Sequence, residues 1–136
     1  MSATQNLAYS IVQVVHNFGA TAVVGGSFAA VKFRAVETRK RLVWLVLSGW
    51  LMQAVSGAAF GTVSYYYYHQ FPDISGIAVD ALAIKMTCVA SGCILLVTCL
   101  LRGSHWTVGK INIVWAVSFT LSAVSLISAA FLRWFS

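Results

Sequence analysis

The chain has 136 residues, 60% hydrophobic and 9% charged, with nine Lys and Arg against three Asp and Glu, a net charge of +6. A soluble domain carries about 25% charged residues, so a chain with a mean hydropathy of +0.83 cannot cover a globule with polar surface. That excludes a water-soluble enzyme and leaves no folded domain to bind nucleic acid; the remaining solvent is lipid.

A helix crosses about 30 Å of hydrocarbon with roughly 20 mainly apolar residues. Four stretches qualify, at about 8–31, 42–64, 77–101 and 111–132. They use most of the chain, which predicts one membrane domain over residues 1–136. Their connections are short, which favours antiparallel neighbours. The expected fold is therefore an all-α, four-transmembrane-helix up-down-up-down bundle.

The first stretch follows the tail MSATQNLAYS, which has no basic side chain, and precedes Lys32 and Arg34. A cleaved leader has the reverse charge order and a shorter apolar core, so a spanning helix is expected. One face of its outer half carries Gln13, His16, Asn17 and Ala20. Further along, Ala22, Gly26 and Ala30 recur at four-residue spacing, with Gly19 on the same side.

The first connection holds Lys32, Arg34, Arg39, Lys40 and Arg41 against Glu37. The second helix repeats small or polar residues every fourth position, at Gly49, Gln53, Gly57 and Gly61. Lipid tails are as apolar as leucine, so helices associate in a membrane through close backbone approach at small residues. Gly26, Gly49, Gln53, Gly57 and Gly61 are accordingly expected to form packing seams.

This helix leads into GTVSYYYYHQFPD, residues 61–73. Successive helical residues turn by about 100°, so Tyr65, Tyr66, Tyr67 and Tyr68 sweep nearly the whole circumference. A binding site wants one face, whereas an interfacial belt wants all of them, with ring bodies in the acyl boundary and hydroxyls in water. The run therefore reads as a belt, with Tyr9 at the same level. Trp44, Trp106 and Trp115 fall near the opposite boundary and Trp134 near the tyrosine level. The alternative is that some rings, with His69, meet a partner protein or a quinone headgroup.

The third helix begins with Asp80 and carries Lys85 close to mid-membrane. A lysine there costs roughly 2.5–3.5 kcal/mol on the insertion scale. Lys85, Cys88, Gly92 and Cys99 share one face, which turns the lysine toward a neighbouring helix. His16, Asn17, Gln53 or backbone carbonyls are its expected partners. Cys88, Cys93 and Cys99 lie on this one helix at spacings no disulfide can bridge, and read as small apolar residues.

Arg102 and Lys110 flank the third connection, while the second holds no Lys or Arg. The positive-inside rule puts the first and third connections on the cytoplasmic side, so the basic 32–41 loop is cytoplasmic and both termini are outside. The expected location is a bacterial inner (cytoplasmic) membrane. The fourth helix offers Ser118, Ser122, Ser125 and Ala129 as a further seam. At a constant offset of 71, Val43, Trp44, Val46, Ala58, Ala59 and Phe60 match Val114, Trp115, Val117, Ala129, Ala130 and Phe131, an echo that a duplicated hairpin would leave.

Soluble-enzyme motifs are missing: there is no GxGxxG, no phosphate-binding glycine loop with lysine and no HExxH. Catalytic residues are therefore not assigned. The cofactor-binding candidates are His16, Lys85, Asn17 and Gln13. His16 reads either as polar glue between helices, or as a haem ligand, a copper ligand or a hydrogen-bond partner of a quinone. A bis-His haem needs two histidines at similar depth, and His69 is shallower while His105 is at the other end. A copper ion would pair His16 with a soft donor such as Met86.

The runs RLVWLVLSGWLMQAVSGAAFG (41–61) and ALAIKMTCVASGCILLVTCLLR (81–102) resemble the CopD-type copper-resistance membrane family and its small four-helix relatives. The shared pattern is a basic residue opening a helix, Ser-Gly within it, an early lysine in the next helix and an arginine closing it. VVHNFGATAVVGG likewise looks like the His-then-Gly-Gly first helix of that family. The resemblance covers about two-thirds of the chain and carries over His16, Gly25, Gly26, Arg41 and Lys85. It implies handling of copper or a redox cofactor near the outer face, although this chain is short and has no Met-rich or His-rich copper motif.

Three functional classes follow. The first is a non-catalytic accessory or assembly subunit of a larger membrane complex, respiratory or otherwise redox-linked. The second is a copper- or haem/quinone-handling protein using His16 and Lys85, and the third a small homo-oligomeric transporter. Partners are the lipid bilayer and other membrane subunits or self, with no nucleic acid. The topology predicts that alkaline phosphatase fused after Ser136 is active and that a green fluorescent protein fused there is dark. The opposite pattern inverts the assigned orientation.

Overall fold

Backbone N–H and C=O groups in hydrocarbon find partners only within the chain, so lipid-facing apolar stretches of this kind fold as helices. In a computed structural model describing residues 3–33, 36–70 and 74–135, four form: α1 (Ala3–Lys32), α2 (Val36–Tyr68), α3 (Ile77–Arg102) and α4 (Val108–Phe135). All four are long and apolar enough to cross a membrane, and the protein is an integral membrane four-helix bundle. The helices outrun the hydropathy boundaries. At 33 residues α2 is about 50 Å long, and it takes in Lys40, Arg41 and the whole tyrosine run. Arg34 and Asp73, and the side chains of Glu37 and Arg39, lie outside the described residues.

The helices pack in a ring, α1 against α2, α2 against α3, α3 against α4 and α4 back on α1. Contacts along the first pair run in opposite directions: Gly26 faces Val46, Gly19 faces Gly49, and Tyr9 stacks near Phe60. The backbones nearly touch there. A Cβ added at Gly49 would lie 2.9 Å from the Gly19 carbonyl oxygen and 3.0 Å from Ala22 Cβ. On the α2–α3 side the indole of Trp50 occupies the space above Gly92, where a Cβ would meet it at 2.5 Å. Trp50 and Trp115 are the largest fully buried side chains, at 0% and 1% exposure, and their core includes Val46 and Leu96. Neither indole N–H has a hydrogen-bond partner among the described residues.

Trp115 therefore corrects the interfacial placement expected for it. The neighbouring α4 positions explain why: Ser118, Ser122, Ser125 and Ser128 are all buried, so this face is the inward one. The hydroxyl pair Ser27–Ser118, 2.8 Å apart, closes the α1–α4 seam. Ser128, rather than the half-buried Ala129, completes the stripe.

Gly57 is a second correction. It is exposed, with nothing within 4 Å of an added Cβ, while Gly61 is half-buried. A strict four-residue step advances about 400° around the helix, so such a row drifts by about 40° per step away from a straight partner. The seam instead steps by three, four, three and three through Val43, Val46, Trp50, Gln53 and Ser56, all buried. Gly26, Gly49 and Gln53 do lie in seams.

The outward faces are apolar, with Phe18 67% and Ile94 68% exposed, which suits hydrocarbon and not water. Tyr65, Tyr66 and Tyr68 are exposed and Tyr67 half-buried on the last turn of α2. His69 ends that helix in the left-handed region, φ 53°, with its N–H on the Tyr65 carbonyl at 2.9 Å. Trp44 and Trp134 are exposed at 56% and 83%. In the first turn of α4, Lys110 Nζ sits 4.6 Å from the ring centroid of Trp106, just before the helix. The offset-71 echo does not carry environments across, since Trp44 is exposed where its match Trp115 is buried.

The glycines give a sharp contrast. Gly49→Ala and Gly92→Ala are each expected to cost about 1–3 kcal/mol through forced separation of packed groups. Gly57→Ala, in open space, should be neutral or stabilise by up to about 1 kcal/mol. Thermal unfolding in detergent measures all three.

Candidate functional site

The close approach at Gly19 and Gly49 brings two polar side chains of α2 onto α1. A Cβ at Gly19 would stand 3.2 Å from Gln53 Nε2; its absence lets Gln53 reach the His16 carbonyl oxygen, which accepts from Nε2 at 2.5 Å. One turn on, Ser56 Oγ lies 2.7 Å from His16 Nδ1. The same hydroxyl donates to the Met52 carbonyl oxygen at 2.5 Å. Phe60 meets the imidazole edge-on, with centroids 5.8 Å apart.

Lys85 arrives from α3, across the ring from α1. Its Nζ lies 2.9 Å from His16 Nε2. One polar chain thus runs from Lys85 on α3 through His16 on α1 to Ser56 and Met52 on α2. The network assigns its protons. The Met52 carbonyl can only accept, so it takes the single Ser56 hydroxyl proton, and Ser56 Oγ must accept from His16 Nδ1–H. Nε2 then carries the lone pair that accepts from the Lys85 ammonium.

The chain sits inside the spanning segments. Lys85 is eight residues into α3, about 12 Å from its start, and Ser56 is twelve residues from the tyrosine end of α2, about 18 Å. The lysine's partner is an imidazole and not a carboxylate. Asp80 is exposed and lines a separate groove between α3 and α4 with Ile84, Val124 and Phe131.

The other candidate residues are placed elsewhere. Gln13 and Asn17 are exposed and hydrogen-bonded to each other, Gln13 Nε2 donating to Asn17 Oδ1 at 2.8 Å. Met86 is 56% exposed, and Gly25 and Arg41 are exposed. Cys88 is buried, Cys93 and Cys99 half-buried, and all three are free thiols. Ser56 and Phe60 have no signal in the four-residue stripe; Ser56 is legible only as the residue three beyond Gln53 on a seam that mixes steps of three and four.

This donor set does not fit a bound copper ion. Both ring nitrogens of His16 are engaged, one of them by a cation, and among the described residues no three His, Cys, Asp or Glu come together as ligands. A bis-His haem lacks its second histidine, because His69 ends α2 in contact with Tyr65 and His105 lies in the turn after α3. What the arrangement does chemically is hold a proton between two nitrogens and present hydrogen-bond donors inside an apolar bundle.

No family model matches the chain, and no curated protein or solved structure matches it significantly.

The losses at the two ends of the Lys85–His16 bond should not add. His16→Leu leaves an ammonium unpaired in an apolar setting and is expected to destabilise by about 1–3 kcal/mol. Lys85→Met should cost less, and the double variant less than the sum of the singles. A double-mutant cycle of unfolding in mixed micelles measures the coupling.

Proposed function

We propose that the protein is a non-catalytic accessory or assembly subunit of a larger membrane complex, respiratory or otherwise redox-linked. The observation that supports this reading is the closed hydrogen-bond chain Lys85–His16–Ser56–Met52. Each ring nitrogen of the histidine and the serine hydroxyl is spent on holding three helices together. That is how a structural polar cluster is arranged; a catalytic base or a metal ligand keeps an open position. The four helices also account for nearly all of the described residues, which supports a partner that is itself membrane-embedded.

A second reading has one observation in its favour. Lys85 spends one of its three N–H donors on His16, and the Phe60 ring lies beside the imidazole. A quinone headgroup offers a carbonyl acceptor for such a lysine and a ring to stack. This supports a quinone over haem or copper as the cofactor, were one bound.

Purification in mild detergent separates the two. The accessory reading expects a stoichiometric foreign polypeptide to co-purify, and to be retained by His16→Ala. Recovery without any foreign subunit, together with a lipid-extractable quinone that is lost in Lys85→Met, overturns it in favour of the second.

A further inference from the structure

The outward face of α1 carries a group that lipid cannot satisfy. Gln13 and Asn17 are exposed there, and Asn17 is the fifteenth of the helix's 30 residues. That puts it at the middle of the spanning segment whichever end faces the cytoplasm. The nearby hydroxyls are already satisfied, Ser10 on the Asn6 carbonyl at 2.8 Å and Thr21 on the Asn17 carbonyl at 3.0 Å. The amides are not. They exchange one hydrogen bond, from Gln13 Nε2 to Asn17 Oδ1, which leaves the Gln13 Oε1 acceptor and both Asn17 Nδ2 donors without a partner among the described residues. Acyl chains have neither donors nor acceptors, so this face calls for a protein neighbour with both.

We propose that the neighbour is a second copy of this chain, packed α1 against α1 about a twofold axis near Gln13 and Asn17. The argument is complementarity. The free groups on one copy are one acceptor and its matching donors, so a twofold brings each Asn17 Nδ2 to the other copy's Gln13 Oε1 and forms the same bond twice. A foreign helix would have to carry that pattern independently. Beside Gln13, an open groove of about 540 Å³ lined by Tyr9, Ser10, Val14 and Phe60 receives side chains of the approaching helix. The Lys85–His16 chain plays no part in this contact, and the dimer goes beyond the accessory reading.

Two differently tagged copies of the full chain are co-expressed, purified through one tag in mild detergent, and probed for the other. The wild-type chain should carry both tags and have the mass of two chains. Gln13→Leu/Asn17→Leu should reduce recovery of the second tag by at least about tenfold, as expected for two interhelical hydrogen bonds. Helix content by circular dichroism should be unchanged, because leucine suits a lipid-facing position. Ile94→Ala, on the exposed face of α3, should leave recovery as in wild type. A wild-type chain carrying one tag only, or a double variant that keeps both, overturns the proposal. So does a foreign polypeptide that replaces the second copy and is lost in the double variant, a result that would leave the accessory reading standing.

Discussion

The approach of two backbones at Gly19 and Gly49 is the contact from which the interior of this protein follows. Between helices in lipid there is no water to expel, so association depends on atoms packing closely and on polar groups finding each other. Where α1 and α2 meet without side chains between them, Gln53 and Ser56 are carried into reach of the His16 carbonyl and ring. His16 is then held in one tautomer with its lone pair toward the bundle centre. That lone pair receives Lys85, and an ammonium otherwise intolerable at this depth becomes part of the packing.

The second half of the bundle solves the same problem differently. Instead of two glycines facing each other, one glycine, Gly92, receives a whole indole from Trp50. On the far side a row of serines on α4 stands in for glycine, small enough for close contact and able to bond Ser27 across the seam. Buried indoles and small hydroxyl residues thus interlock, while other large apolar residues such as Phe18 and Ile94 are turned outward to lipid.

Much of this was legible in the sequence, and the exceptions share one cause. Four spans and their order follow from apolar run length, because an unpaired backbone in hydrocarbon is too costly to leave. The inward turn of Lys85 follows from its place on a face with Cys88 and Gly92. Which positions of α2 face inward was less legible. A four-residue repeat marks a real seam for one or two turns, as at Gly49 and Gln53, then winds off it, as at Gly57. Ser56 is hidden by the same drift. Trp115 reads as an interface residue by type alone, and only the serines that follow it at seam spacing give its inward orientation away. Gln13 and Asn17 share a helical half with His16, yet a rotation of one or two residues separates the bundle interior from the lipid.

The span of the lysine–histidine bond across the ring bears on how the chain is made. α1 and α2 emerge from the ribosome before α3, and their contact at Gly19 and Gly49 is made without it. α3 then enters bearing a positive charge that acyl chains will not solvate, and the acceptor waiting for it belongs to the finished first hairpin. Biogenesis is thereby given an order: the early pair serves as the landing place for the third helix, and the fourth closes the ring behind it.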